Sequence, residues 1–127
     1  MNLTFVPNAL EKISPTWVMS DITYPDCSIT RTEDDYLRRI GSSFNGISFL
    51  GPGYPAWFEY SKDNLGASKS GFLHTSLVKE LEIILDIGYA KLAITTEHSI
   101  FFLESAEPVQ ETAEIRELMD QINALNK

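Results

Sequence analysis

The chain has 127 residues, of which 18 are acidic and ten are basic, so its formal charge is −8. Its length is typical of one domain, and its hydrophobic fraction of 43% excludes the apolar-poor composition of disordered chains. The negative charge repels nucleic acid phosphates and anionic membranes, and it attracts basic proteins. We therefore predict one domain over residues 1–127 that has no nucleic acid or membrane partner.

The first half of the chain shows strand-like and helical segments in turn. Strand-like segments alternate polar with β-branched or aromatic side chains. Helical segments begin with capping residues and place acidic side chains in the first turn. The predicted elements are a helix over 8–14, a strand over 16–24, a helix over 30–40, and strands over 45–50 and 56–61.

The stretch from Gly71 to Glu104 carries the clearest pattern in the chain. Its apolar residues first recur at helical spacing, which predicts a helix over 75–88 that ends at Gly88. Residues 89–96 then alternate as a strand, and residues 99–103 are nearly all apolar, so the two segments predict a hairpin. The expected core packs the first group of side chains on the second: Leu81, Ile84 and Leu85 on Leu92, Ile94, Phe101 and Leu103.

A last amphipathic helix is predicted after Ser105, because apolar residues recur from Ile115 to Leu125 at helical spacing. Together these segments indicate an α+β fold. We expect an antiparallel sheet of about four to six strands with helices packed on it. The helices include a central one followed by the hairpin, and the C-terminal one.

A single cysteine, Cys27, excludes an intramolecular disulfide and a cysteine ligand set for zinc. The N-terminal segment lacks the basic start and apolar run of a secretory signal. No apolar run approaches the roughly 20 residues of a membrane-spanning helix. These features predict a cytoplasmic protein.

Catalytic and cofactor motifs are missing from the sequence. The two histidines, His74 and His98, do not form a metal motif, and no G-x-S-x-G motif is present. Lys69 and Ser70 precede a predicted helix, but Ser68 stands where a phosphate-binding loop has glycine. We therefore predict no catalytic residue, no metal and no cofactor.

Two groups of residues are candidates for partner binding. Glu33, Asp34 and Asp35 form an acidic group, although the same residues are typical of a helix start. Tyr54, Trp57 and Tyr60 are aromatic residues at or after a loop rich in proline and glycine. They fit a contact surface or, alternatively, the edge of a core. We predict these six residues as the partner-binding set.

In size, acidity and lack of catalytic motifs, the chain resembles the immunity proteins of bacterial toxin–immunity pairs. The resemblance implies that the chain binds a basic toxin domain directly and neutralises it. Opposite charges would speed association, and buried aromatic side chains would supply affinity.

Two other functions fit the sequence. The chain is also similar in size and charge to secretion chaperones and adaptors, which bind exported effectors and are often dimers, so a homodimer stays open. A small-ligand-binding protein or enzyme with a pocket near residues 51–55 is the third candidate. A neighbouring gene for a toxin, an effector or a metabolic enzyme would distinguish the three.

Overall fold

The structure is a computed structural model that describes residues 9–23, 39–48 and 52–125. Six antiparallel strands form a closed barrel in which neighbouring strands follow chain order and the first strand pairs with the last. The strands are β1 (Trp17–Thr23), β2 (Ser43–Ser48), β3 (Pro55–Lys62), β4 (Phe72–Asp86), β5 (Tyr89–Thr96) and β6 (Ile100–Ser105). The helices in this part of the chain are α1 (Ala9–Ile13) and α2 (Ala113–Ala124).

The predicted α+β class is therefore wrong, because the sheet closes on itself and the predicted central helix is a strand. A bulge in β4 explains the error. The register with β5 shifts between Val78 and Glu80, so the buried positions step by three, from Val78 to Leu81. They then alternate by two, at Ile83 and the partly buried Leu85. The bulge thus gives a three-residue step, and the apolar residues that follow it at 81 and 83–85 complete a spacing that also fits a helix.

The predicted core is partly confirmed. Leu81, Leu92, Ile94, Phe101 and Leu103 are buried, and Leu85 packs against them. Ile84 was wrongly predicted, because it faces outward and is 49% exposed. The outward direction follows from strand alternation, since both neighbours of Ile84 point toward the core.

Gly88 ends no helix; it forms the turn between β4 and β5 with Ile87. Both residues have positive φ, 53° for Ile87 and 83° for Gly88. A two-residue turn of type I′ requires this conformation, and it matches the twist of the strands that it joins. The Val109 N–H donates a hydrogen bond of 2.7 Å to the Gly88 carbonyl, which fixes the turn against the segment after β6.

Several other predictions are confirmed in type and approximate bounds. They are the first helix, the strands at β1, β2 and β3, the β5–β6 hairpin and the C-terminal helix. Thr112 caps α2 by accepting a hydrogen bond from the Ile115 N–H. The helix predicted over 30–40 lies almost wholly outside the described residues.

One hydrophobic core fills the barrel and extends under both helices. Phe58 is central to it, with its ring edge-to-face with Phe44 at 5.5 Å and with Phe101 at 5.7 Å between ring centroids. The Trp17 indole N–H donates to the Leu10 carbonyl at 3.2 Å, which ties α1 to the start of β1. Neither helix in the described part of the chain has the length and apolar character that a bilayer crossing requires.

Candidate partner-binding surface

The outward faces of β2, β3 and β4 form a surface that the strand register defines. Along β3, Ala56 and Phe58 are buried, whereas Trp57 and Glu59 point outward. Trp57 pairs with Ser48 on β2 and with His74 on β4. The adjacent outward row contains Gly46, Glu59 and Phe72, in the same strand order.

Three aromatic side chains meet on this surface, and we call Trp57, Phe72 and His74 the aromatic face. The ring centroids of Trp57 and His74 lie 4.1 Å apart at an interplanar angle of 35°. The centroids of Trp57 and Phe72 lie 6.2 Å apart in an edge-to-face arrangement. Cross-strand aromatic pairs of this kind stabilise one another, so the rings form an ordered surface. Trp57 is nevertheless 45% exposed and Phe72 57% exposed.

Tyr54 and Leu77 extend the exposed apolar surface to the start of β3. Leu77 pairs with Pro55 across the two strands, and both Tyr54 and Leu77 are exposed. The loop that carries Tyr54 is held to β4 by two backbone hydrogen bonds. Gly53 N–H donates to the Val78 carbonyl at 2.8 Å, and Val78 N–H donates to the Tyr54 carbonyl at 2.9 Å.

Tyr60, the third predicted aromatic anchor, lies away from the aromatic face. The Tyr60 ring is half-buried against the Phe44 ring, with 4.7 Å between the two ring centroids. The Lys69 Nζ lies 4.1 Å from the centroid of the Tyr60 ring. Burial raises the pKa of the Tyr60 phenol, and the nearby Arg39 charge opposes that rise. The structure therefore brings Tyr54 and Trp57 to one exposed surface and directs Tyr60 toward the core.

Two carboxylates meet at Gly46, on the β2 side of the aromatic face. A Cβ atom at this glycine would lie 3.4 Å from Glu59 Oε1 and 3.5 Å from Glu11 Oε1, so both carboxylates adjoin the open space above the backbone. Glu59 also pairs with Phe72. The predicted acidic residues Glu33, Asp34 and Asp35 lie outside the described residues, as does Cys27. Among the described residues, Glu11 and Glu59 instead provide acidic side chains near this surface.

The sequence analysis did not predict Phe72, His74 and Leu77 as site residues. They precede or occupy the segment that was predicted as a helix, so no neighbouring strand could be assigned to them. Phe72 and His74 do alternate with the buried Leu73, and this short alternation was the available signal. Within the described ranges, no group of three or more His, Cys, Asp and Glu side chains is placed to hold a metal ion.

Comparison with family models, with curated proteins and with solved structures finds no match to this chain. The function of the aromatic face is therefore inferred from its own residues.

Proposed function

We propose that this protein is an acidic binding domain that recognises a basic protein through the aromatic face, and that it serves as an immunity protein. In this proposal it binds a cognate bacterial toxin in the cytoplasm and blocks the toxin by covering it. The observation that carries the proposal is the ordered cluster of Trp57, Phe72 and His74 on the barrel surface, with two large rings about half exposed.

The energetics of protein interfaces support this use of the aromatic face. Clusters of large, solvent-exposed apolar side chains are uncommon on monomeric proteins and are typical of interaction sites. Trp is enriched among the residues that dominate binding energy, because a rigid ring buries much area with little loss of conformational entropy. Here Trp57 lies at the centre, between Phe72 and His74, and its neighbours hold its ring in place.

Charge supports a basic partner. The net charge of −8 gives a long-range field that steers cations toward the protein. Glu59, which pairs with Phe72, provides an acidic group next to the aromatic face, and Glu11 adds a second one farther along the same row, at Gly46. An apolar centre with an acidic border is complementary to a basic surface that also presents an apolar residue.

A growth-rescue experiment tests the proposal. A toxin-domain gene next to the gene for this chain would be expressed in bacteria together with the wild-type protein or with a Trp57→Ala/Phe72→Ala variant. We expect the wild type to restore growth and the folded variant to fail, because the variant lacks the anchoring rings.

Leu65→Ala is the matched control for this experiment. Leu65 is 87% exposed, but it lies in the β3–β4 loop and outside the aromatic face. We expect this variant to rescue growth as the wild type does. Full rescue by a Trp57→Ala/Phe72→Ala protein would contradict the assignment of the face, and failure of the wild type to rescue would contradict the immunity function.

A further inference from the structure

A groove of about 370 Å³ lies on a different part of the barrel, over the outward sides of β1, β4, β5 and β6. The strand register places Glu82, Ala93, Phe102 and Asp21 in one row across these four strands. Ala93 carries only a methyl group between the longer side chains of Glu82 and Phe102. The hollow above Ala93 is therefore a consequence of side-chain size along this row.

The next row adds Ile84, Lys91 and Glu104 to the lining. Ala93, Phe102 and Ile84 thus give the groove an apolar part, and three acidic residues, Asp21, Glu82 and Glu104, also line it. Asp21 Oδ1 accepts a hydrogen bond from the Ile22 N–H, which leaves Glu82 and Glu104 as the carboxylates considered for a ligand. Lys91 is the one basic residue of the lining. Its ammonium lies 3.0 Å from Asp86 Oδ2, outside the groove, and the Glu104 carboxylate also attracts it more weakly. The lining thus has three carboxylates and one lysine, whose main partner lies outside it. The groove therefore has an excess of negative charge.

We propose that this groove binds an arginine side chain presented by an extended basic segment of a protein partner. The aliphatic part of the side chain packs on Ala93, Phe102 and Ile84. The guanidinium lies beside the Phe102 ring, for which it has affinity, and reaches the carboxylates of Glu82 and Glu104. Shape and charge select the same occupant, because the hollow admits a slender apolar stem and its edge attracts a cation.

This inference goes beyond the proposed function and does not depend on it. The aromatic face uses the first half of β4, where His74 pairs with β3. The groove uses the second half, where Glu82 pairs with β5. Variants can therefore be made in one surface while the other is left intact.

An NMR titration of the full-length, ¹⁵N-labelled protein tests the groove. The probe is a six-residue peptide with blocked ends in which arginine alternates with alanine, in buffer of about 50 mM salt. The control peptide has citrulline in place of arginine and so keeps the shape but loses the charge. We expect the arginine peptide to shift the amide signals of Glu82, Ala93 and Phe102, and the citrulline peptide to leave them in place.

Two variants locate the interaction. Ala93→Leu fills the hollow, and Glu82→Gln/Glu104→Gln removes two charges from its edge. We expect each to weaken peptide binding by about fivefold or more, as loss of packing or of a charge partner does at protein interfaces. Glu107→Gln/Glu117→Gln is the control, because it removes the same charge from exposed positions outside the lining. We expect this control to bind within about twofold of the wild type.

Three results would overturn the inference. Shifts confined to other surfaces, or no shift at millimolar peptide, would show that the groove holds no arginine. Equal weakening in the two double-glutamine variants would show diffuse attraction to an acidic protein. If Ala93→Leu does not fold, the comparison of the two double-glutamine variants tests the groove by itself. Their substitutions lie at exposed or half-exposed outward positions, so we expect both variants to fold.

Discussion

The side-chain amide of Asn123 forms two hydrogen bonds with the backbone of Ile83, one in each direction. Asn123 Nδ2 donates to the Ile83 carbonyl at 3.0 Å, and the Ile83 N–H donates to Asn123 Oδ1 at 2.9 Å. Residues from Phe72 to Leu77 of β4 pair with β3, whereas Ile83 pairs with Leu92 of β5. At Ile83, the Asn123 amide therefore bonds to the edge of β4 that faces away from β5, beyond the residues that pair with β3. The amide takes the place of a neighbouring strand there, and α2 completes the wall of the barrel.

Replacement of Asn123 by Ala should destabilise the protein by about 1–3 kcal/mol, because two partly buried backbone groups lose their partners. Urea denaturation followed by circular dichroism measures the change in the free energy of unfolding. The matched control is Asp120→Ala on the exposed side of the same helix, for which we expect a change within about 0.5 kcal/mol. Equal effects would contradict the role of the amide at this strand edge.

Ile87→Asn should stabilise the protein. Ile87 is 92% exposed and has a φ of 53°, a left-handed conformation that costs a β-branched residue about 1–2 kcal/mol. Asn tolerates this conformation and is the preferred partner of Gly in a type I′ turn, so we expect a gain of about 0.5–1 kcal/mol.

Thermal or urea melts measure the gain at Ile87, and Leu65→Asn is the control. Leu65 is also almost fully exposed, but it has no positive φ. The control therefore removes an exposed apolar side chain without any relief of backbone strain. A stabilisation of the same size in both variants would assign the effect to surface polarity instead of the turn.

Trp57 and Phe58 are adjacent, yet their truncation should have very different effects on stability. Phe58→Ala leaves a cavity in the core and should cost about 3–5 kcal/mol. Trp57→Ala removes an outward ring that contacts Phe72 and His74, and should cost about 1 kcal/mol. Urea denaturation of both variants checks the facing of β3, and the reverse order of effects would contradict it.

The raised pKa of Tyr60 predicts a loss of stability at alkaline pH. The folded protein retains the phenol proton to higher pH than the unfolded chain, in which tyrosine has a pKa of about 10. The contribution of Tyr60 is therefore fully present below about pH 10 and is lost as the pH rises through the folded pKa.

Urea midpoints between about pH 8 and pH 11 measure the effect of this phenol. We expect the midpoint of Tyr60→Phe to fall less over this range than that of the wild type, because Phe has no proton to lose. Identical pH profiles for the two proteins would show that Tyr60 ionises equally easily in both states.

Local sequence patterns predicted the elements whose contacts are local. The β5–β6 hairpin and α2 each follow a single period, and Thr112 marks the start of the helix. The bulge in β4 interrupts the two-residue alternation of buried side chains after Val78, and the sequence of this strand therefore shows a helical pattern. Its conformation is decided by pairing with β3 and β5, which propensity does not show.

Closure of the barrel also lay beyond the sequence. Trp17 pairs with Ser105 near the other end of the chain, and no local pattern indicates such a partner. The same limit applied to the site. Trp57 was predicted as a contact residue because it follows a loop rich in proline and glycine, whereas Phe72 and His74 became its neighbours only through the pairing of β3 with β4.

The most direct test of the binding function is a kinetic measurement with the native partner. The partner would be isolated by pull-down from the native host, and its association and dissociation rates would be measured with the wild type and with Trp57→Ala/Phe72→Ala. We expect dissociation from the folded variant to be about tenfold faster or more, because the anchoring rings are gone. We also expect wild-type association to slow steeply between about 0.1 M and 1 M salt, as the Debye length falls from about 10 Å to 3 Å. Unchanged dissociation in the variant, or association that is independent of salt, would contradict the proposed recognition of a basic partner by the aromatic face.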